Sequence, residues 1–148
     1  MIKALNPDFK AAVEAKLGGQ HFMHLFGFKL TTIEEGRTEG WLDINKNHQQ
    51  NIGFLHGGLV ATMADIVAGF AASTLVPANY HVVTGEIKIS YLNPGIGQKA
   101  HAIGWVLKQG RRMHFCEAEV WCINNGERKM VAKASATMVV IPPQGETK

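Results

Sequence analysis

The sequence predicts an α+β domain in which one long central helix is wrapped by a curved antiparallel sheet of five to six strands. The first reason is the segment of residues 57–76, in which sixteen of twenty side chains are apolar or small. A helix this apolar needs protein around all of its faces. The second reason is that six strand candidates, two before and four after this segment, are separated by turns. Strands joined by short turns favour antiparallel pairing.

The segment before the long helix predicts a short helix and a strand pair. Phe9, Val13 and Leu17 repeat with helical spacing, and two glycines follow as a stop signal. Residues 1–19 are therefore expected to form an N-terminal helical segment. Strands are expected over residues 22–33 and 40–44, with a hairpin turn at residues 34–37.

The long helix is expected to run from residue 57 to residue 76, because Pro77 ends it. Its length would also suit a membrane-spanning helix. Asp65 near the middle is costly in lipid, and no basic residues flank either end, so a helix buried in protein is favoured. The sequence therefore predicts no membrane association.

Four strands are expected after the helix, because apolar and polar residues alternate there with a period of two. Ile87, Ile89 and Tyr91 mark the apolar side of the first of them. The strands are expected over residues 82–92, 99–108, 113–123 and 130–141. Turn residues separate them, so each strand is expected to pair with the next. Residues 1–148 are predicted to form a single domain, with a flexible tail at residues 142–148.

Composition and charge exclude several classes of function. The chain carries 15 lysines and arginines against 12 acidic residues, an excess too small and scattered to predict a nucleic-acid partner. The N-terminal residues include Asp8 and Glu14 and do not resemble a signal peptide. The two cysteines are expected to be reduced core thiols of a cytoplasmic protein. His21 and His24 have no further ligands at suitable spacing, so no metal site is predicted.

A polar segment leads into the long helix and carries the most specific signal. Gln50 stands six residues before His56, Gly57 and Gly58 follow that histidine, and Asp65 stands nine residues after it. This pattern resembles the active-site segment of hotdog-fold acyl-CoA thioesterases, the PaaI-like and 4-hydroxybenzoyl-CoA thioesterase-like superfamily. The resemblance covers about residues 20 to 141. It implies a hydrolase that releases a free acid and coenzyme A, with no cofactor beyond the coenzyme A of its substrate.

The resemblance implies catalytic roles for residues of this segment. The backbone N–H of Gly57, which has no partner within the helix, would stabilise the oxyanion of the thioester. Asp65 would attack the thioester carbon or activate water, two roles that the sequence does not separate. His56 would polarise the thioester or only cap the helix, and Gln50 would orient the carbonyl or the water. Asn51 takes the amide role if the loop shifts by one residue.

Two further features of the segment leave alternatives open. Thr84 lies where related enzymes hold the water with a hydroxyl, although it is also an ordinary strand threonine. Asp65 is alternatively a structural acid held by a hydroxyl such as that of Thr62. The pairing of Asp65 with Gln50 departs from the usual pattern, in which Asp accompanies Asn and Glu accompanies Gln. This departure leaves the acyl preference open between aromatic and fatty acyl groups.

Substrate contacts are expected on both sides of the thioester. Gly58 lies beside the oxyanion site, and Phe54, Met63 and Phe70 are predicted to line the acyl tunnel. Basic side chains near the hairpin turn at residues 108–112 would bind the phosphates of coenzyme A. Those predicted for this role are Arg111, Arg112 and Lys88, although a solvated turn also explains the two arginines.

The spacing of Gly57 and Asp65 predicts that two chains form each site. They are eight residues apart, which places them about 12 Å apart along one helix. One carbonyl group cannot touch both, so Asp65 of one chain is expected to work with Gly57 of another in a twofold dimer. The resemblance implies a homodimer, often paired again into a homotetramer. The alternatives are a non-catalytic acyl-CoA-binding module and an enoyl-thioester hydratase, and the spacing from His56 to Asp65 argues against the hydratase.

Overall fold

A six-stranded antiparallel sheet forms the framework of the protein, as the sequence predicts. The computed structural model describes residues 1–145. The strands follow one another in space in the order β1-β2-β4-β5-β6-β3, and every neighbouring pair is antiparallel. Their bounds are β1 Lys29–Glu34, β2 Arg37–Asp43, β3 His81–Tyr91, β4 Lys99–Gln109, β5 Met113–Asn124 and β6 Glu127–Ile141.

One long helix, α3, crosses the inner face of this sheet from Gly57 to Ser73. It ends three residues before the predicted residue 76, because the side chain of Thr74 supports a turn at this point. The Thr74 hydroxyl donates to the carbonyl of Ala71 at 2.7 Å and accepts the N–H of Gly36 at 2.7 Å. The helix end is therefore tied to the β1–β2 hairpin.

The helix lies very close to strand β4. A Cβ atom on Gly104 would stand 2.4 Å from the backbone of Val67, so only glycine allows this approach. On the neighbouring strand, the hydroxyl of Thr38 donates to the Val67 carbonyl at 2.7 Å and is fully buried. These contacts fix the depth at which α3 sits on the sheet.

The two faces of α3 differ in burial. The face on the sheet is apolar and buried, and it consists of Val60, Met63, Ala64, Val67, Ala68, Phe70, Ala71 and Ala72. The opposite face, which includes Asp65, Ile66, Gly69 and Ser73, is only half-buried. The expectation that the helix is covered on all sides is thus wrong for a single chain.

The prediction of a strand beginning at residue 22 is also wrong. The N-terminal segment forms helix α1, Phe9–Gly18, and then a second short helix, α2, His21–Phe26. Only Met23 of α2 is buried, and Gly27 ends the helix in a left-handed conformation at φ 80°. The apolar residues here repeat over too few positions to separate a helix from a strand by spacing alone.

Strand β3 does not pair with the next strand in the sequence, contrary to expectation. It pairs with β6, and β4 lies between β2 and β5. The connection between β3 and β4 is anchored to other elements, since Leu92 donates its N–H to Val131 and Gly95 accepts the N–H of Leu55. Strand β3 is therefore an edge of the sheet, as is β1.

Three remaining predictions concern the cysteines, the membrane and the tail. Cys116 and Cys122 are buried and unpaired, as predicted. None of the helices within residues 1–145 is long and apolar enough to cross a membrane. Residues 146–148 of the predicted flexible tail lie outside the described residues, so flexibility there stays a prediction.

Candidate active site

Asp65 lies near the middle of α3 and faces strand β3. Its Oδ1 atom accepts a hydrogen bond from the hydroxyl of Thr84 at 2.6 Å. Thr84 precedes an irregularity in the pairing of β3 with β6, between Thr84 and Glu86, where Gly85 is the extra residue. The structure thus brings together two of the residues that the sequence singles out.

Thr62 does not hold Asp65. Its hydroxyl donates to the Gly58 carbonyl one turn earlier in α3, at 2.9 Å. The hydroxyl on the carboxylate comes instead from Thr84, on another element of the fold. The carboxylate is partly accessible in the single chain and lies on the wall of an open cleft. An accessible acid bound by one hydroxyl is available to act on a ligand in that cleft.

His56 caps the start of α3. Its backbone is extended, and its Nδ1 accepts the N–H of Gly58 at 3.0 Å. This bond uses one of the two glycine N–H groups that the sequence offers for an oxyanion. The N–H of Gly57 has no acceptor among residues 1–145. Of the two amides, only that of Gly57 is therefore free for a ligand.

The loop before α3 places Gln50 near Gly57. The N–H of Gln50 donates to Phe54 and its carbonyl accepts the N–H of Gly53, whose φ of 83° requires a left-handed turn. This tight turn returns the chain to the helix start. Both Gln50 and Asn51 are exposed, but only Gln50 lines the same cavity as Gly57, so its position favours Gln50 for the amide role, which stays a prediction.

Two separate cavities contain the predicted catalytic groups. The first, the Asp65 cleft, has a volume of about 510 Å³ and contacts Asp65, Ile66, Gly69, Phe70 and Thr84 among its lining residues. The second, the Gly57 cavity, has a volume of about 370 Å³ and is lined in part by Gln50, Phe54, Gly57 and Tyr91. No lining residue is common to the two cavities. One chain therefore holds the acid and the free amide apart.

Three of the predicted substrate-binding residues differ in their surroundings. Phe54 is half-buried and lines the Gly57 cavity, and Gly58 is exposed with its N–H already bound by His56. Met63 is fully buried in the core and lines neither cavity. The prediction that Met63 contacts the acyl group gains no support from this position.

The predicted phosphate-binding residues lie away from both cavities. Arg111 and Arg112 are exposed on the turn between β4 and β5. Lys88 lies on β3 and donates to the Ser90 hydroxyl at 2.6 Å. Contact of these three residues with coenzyme A stays a prediction. The absence of a metal also stays a prediction, and no group of three or more His, Cys, Asp or Glu side chains converges within residues 1–145.

Sequence reasoning missed two features of the site. The hydroxyl of Tyr91 donates to the Gly57 carbonyl at 2.8 Å, which links β3 to the helix start. The alternation of Tyr91 with Ile87 and Ile89 was the available signal, because it places all three side chains on the helix side of β3. Lys16 and Gln20, from the N-terminal segment, also line the Asp65 cleft. No local pattern marks these two as site residues.

One long helix on a six-stranded antiparallel sheet, with an acid in that helix and a glycine at its start, defines the hotdog class. Residues 52–129, more than half of the 148-residue chain, match the thioesterase superfamily. The chain belongs to this superfamily, whose members hydrolyse thioesters.

Individual relatives agree with this assignment. A thioesterase family protein from Silicibacter pomeroyi has a solved structure that is similar with a TM-score of 0.89 and 29% identity, over 90% of this chain and 98% of that one. Acyl-coenzyme A thioesterase 13 of Homo sapiens is 24% identical over 136 residues, which cover 90% of this chain and 95% of the human protein. The PaaI protein of E. coli has the same fold, with a TM-score of 0.81 and 19% identity, over 95% of this chain and 98% of PaaI.

Proposed function

We propose that this protein hydrolyses acyl-CoA thioesters to a free acid and coenzyme A. In this proposal Asp65 acts on the thioester carbon or on the water that attacks it. The N–H of Gly57 of the partner subunit binds the carbonyl oxygen. The human relative named acyl-coenzyme A thioesterase 13 supports coenzyme A as the thiol part of the substrate.

The separation of the acid and the amide carries the proposal. Asp65 and the free N–H of Gly57 are eight residues apart on one helix and line different cavities. The rise of the helix separates them by about 12 Å, whereas the groups that act on one carbonyl must both lie about 3 Å from it. A twofold dimer that brings the Asp65 cleft of one chain against the Gly57 cavity of the other meets this requirement.

The free edge of β3 supports such a dimer. Strand β3 pairs with β6 on one side, and its other side has no neighbouring strand within residues 1–145. Its residues from Val83 to Glu86 are exposed. A long open edge is a template for pairing with another strand, and pairing of β3 with a second copy of itself would continue the sheet across the dimer. Further assembly into a tetramer and a cytoplasmic location remain predictions.

The chemistry follows from the groups at this composite site. The carboxylate, or the water that it deprotonates, forms a C–O bond to the thioester carbon, and the carbonyl oxygen becomes negative. One backbone donor to such an oxyanion stabilises the transition state by about 3–4 kcal/mol in other acyl-transfer enzymes. Collapse of the intermediate breaks the C–S bond and releases the thiolate of coenzyme A. When water is the nucleophile, this step gives the free acid directly. When the carboxylate itself attacks, it gives an anhydride with Asp65, which a water molecule then hydrolyses to the free acid and the regenerated carboxylate. The Thr84 hydroxyl holds Oδ1 of Asp65, which leaves the other carboxylate oxygen for the reaction.

The phosphates of coenzyme A need cations outside the reacting centre. Arg111 and Arg112 are exposed, and no carboxylate pairs with either of them within residues 1–145. A guanidinium can bind a phosphate through two parallel hydrogen bonds. We therefore assign the nucleotide end of the substrate to the turn between β4 and β5. Simultaneous replacement of both arginines by glutamine should raise KM for acyl-CoA more than it lowers kcat.

Replacement of Asp65 by alanine or asparagine tests the proposal. Both variants should keep the fold and lose release of thiol from acyl-CoA, measured with a chromogenic thiol reagent. Cys116 and Cys122 do not disturb this assay, because burial raises the pKa of Cys116 to about 12 and that of Cys122 to about 11. Asp43→Ala is a matched control, since Asp43 is an exposed acid on β2.

Each outcome of this test decides between the candidate functions. Loss of turnover in both Asp65 variants, with Asp43→Ala at the wild-type rate, supports the proposal. Retained turnover in a folded Asp65→Ala protein would show that another group performs the chemistry. Tight binding of acyl-CoA by the wild type without product would favour the non-catalytic binding module instead.

A further inference from the structure

The Asp65 cleft has an apolar middle and a polar far end. Ile66, Phe70 and Val82 contribute apolar side chains to its walls. The lining also includes Ser73, eight residues beyond Asp65 on α3, together with Lys16, Gln20 and His81. His81 starts β3, about 10 Å before Thr84 along the strand, and Lys16 bonds the carbonyl of the preceding Tyr80, so both lie at the end of the cleft away from the acid. Because a helix rises about 1.5 Å per residue, the polar end is about 12 Å from the acid along the helix axis. This distribution does not match a purely hydrocarbon acyl chain.

Lys16 is the charged group of this polar end. It is half-buried on α1, and its Nζ donates to the Tyr80 carbonyl at 2.8 Å. No carboxylate lies within ion-pair distance of Lys16 in the described part of the chain. Burial lowers the pKa of this amine, with no opposing charge to restore it. An ammonium group has three donors, so two remain for a ligand in the cleft.

We infer that the acyl group of the substrate carries a distal carboxylate, which binds Lys16 at the far end of the Asp65 cleft. The protein would then prefer thioesters of dicarboxylic acids over those of simple fatty acids. This inference rests on the proposed thioester hydrolysis and names the substrate class of that same site. Lys16 is its specificity-determining residue, and Gln20 and Ser73 offer further hydrogen bonds to the same carboxylate.

The length of the cleft indicates the length of the acyl group. An extended carbon chain advances about 1.2 Å per bond, so the seven bonds between the two carboxyl carbons of a suberyl group span roughly 8 Å. Hydrogen-bond contacts of about 3 Å at each end extend this reach to roughly 14 Å, close to the distance of about 12 Å by which Asp65 and Ser73 are separated along the helix axis. An acyl group of about eight carbons with a terminal carboxylate therefore fits. Octanoyl-CoA, of equal length and without that carboxylate, is the matched comparison.

Steady-state hydrolysis of suberyl-CoA and octanoyl-CoA tests the inference. The wild type should show kcat/KM for suberyl-CoA about tenfold higher than for octanoyl-CoA. A tenfold ratio lies at the lower end of what a charge-assisted hydrogen bond contributes, as expected for a half-exposed group. Lys16→Met should remove this preference through loss of suberyl-CoA turnover, and Lys16→Arg should restore most of it. Lys10→Met, at an exposed lysine of the same helix, should leave the ratio unchanged.

The outcomes separate this inference from the proposed function. Hydrolysis of octanoyl-CoA without a preference for suberyl-CoA overturns the inference and leaves thioester hydrolysis intact. An equal loss of both activities in Lys16→Met also overturns it, because Lys16 would then only tie α1 to the Tyr80 carbonyl. Absence of hydrolysis with every thioester overturns the proposed function and this inference with it. Calorimetry on inactive proteins provides a second readout of binding. The Asp65→Asn protein should bind suberyl-CoA more tightly than octanoyl-CoA. The double variant Asp65→Asn/Lys16→Met should bind the two thioesters equally.

Discussion

The hydroxyl of Thr84 donates a 2.6 Å hydrogen bond to Oδ1 of Asp65. This bond joins strand β3 to helix α3 at the point where the Asp65 cleft begins. This hydrogen bond restricts the orientation of the carboxylate and engages only one of its two oxygens. The sequence leaves open whether Thr84 holds the water or is an ordinary strand threonine. This bond places its hydroxyl on the carboxylate that is proposed to react.

Thr84→Val should lower kcat for acyl-CoA about 10- to 100-fold, because the carboxylate loses the donor that orients it. Thr84→Ser keeps the hydroxyl and should retain most of the activity. Steady-state kinetics on both variants provide the measurement, and thermal unfolding shows that each is folded. Wild-type kcat in a folded Thr84→Val protein would show that the hydrogen bond has no catalytic part.

Gly57→Pro should lower kcat about 100-fold, because it removes the one free N–H that is available to the oxyanion. Proline is tolerated at the first position of a helix, and His56 before it has the extended backbone that proline requires, at φ −63° and ψ 131°. Gly57→Ala retains the N–H, and its Cβ meets Tyr91 at an ordinary 3.5 Å. The alanine variant should therefore remain active, and equal losses in both would mean that shape rather than the N–H is critical.

Mixing two inactive variants tests whether each site spans two chains. Asp65→Ala supplies an intact Gly57, and Gly57→Pro supplies an intact Asp65. Random reassociation of the two should restore up to about a quarter of wild-type activity, since half of the dimers are mixed and each holds one complete site. A site within one chain would stay inactive in every mixture. Each variant refolded alone provides the baseline.

Gly104→Ala should destabilise the fold by about 3 kcal/mol, because the new Cβ would lie 2.4 Å from the Val67 backbone. Helix α3 would have to move away from β4 to make room. Gly18→Ala is the control, because a Cβ there meets nothing within 4 Å and should change stability by less than about 0.5 kcal/mol. Urea unfolding of the three proteins compares their free energies, and equal values for Gly104→Ala and wild type would contradict the close approach.

His114 should make the stability of the protein fall in acid. It is 2% exposed, and its Nδ1 has no partner among residues 1–145. Burial lowers the pKa of His114, and the carbonyls of Ala72 and Gly110 oppose that shift. The unfolded chain therefore takes up the proton more readily, so stability is lost as pH falls from about 6.5 towards the folded pKa, by at most about 1.4 kcal/mol per pH unit.

His114→Gln should reduce this loss between pH 7 and pH 5, as measured by urea unfolding at each pH. The pKa of His101 is also lowered, mainly by burial, and that histidine remains in both proteins. The difference between the two pH profiles therefore isolates His114. Parallel profiles would show that His114 accepts its proton equally well in the folded and unfolded states.

The sequence was most informative where a local pattern coincides with a physical requirement. The start of α3 at Gly57 follows from the polar and glycine residues before an apolar run. The strand alternation predicted β3 to β6 to within a few residues. The separation of Gly57 from Asp65 needs only the rise of a helix. Each of these inferences depends on neighbours along the chain.

Features set by distant parts of the chain were not predictable in the same way. Strand β3 pairs with β6, more than 40 residues later, and no turn signal encodes that partner. Helix α2 has a single buried side chain, Met23, so its apolar pattern is too short to identify. Lys16 reaches the Asp65 cleft only because α1 folds back towards the Tyr80 carbonyl, a contact across 64 positions.

The unequal faces of α3 have a consequence for how such proteins diversify. Stability depends on the side that meets β4, where even a methyl group is excluded at Gly104. Gly69 and Ser73 lie on the half-buried face that lines the Asp65 cleft, as does Ile66, which also packs against the edge of the core. Mutations at these three positions can therefore reshape ligand choice while folding is largely spared, which lets one scaffold evolve many selectivities from a single inherited framework.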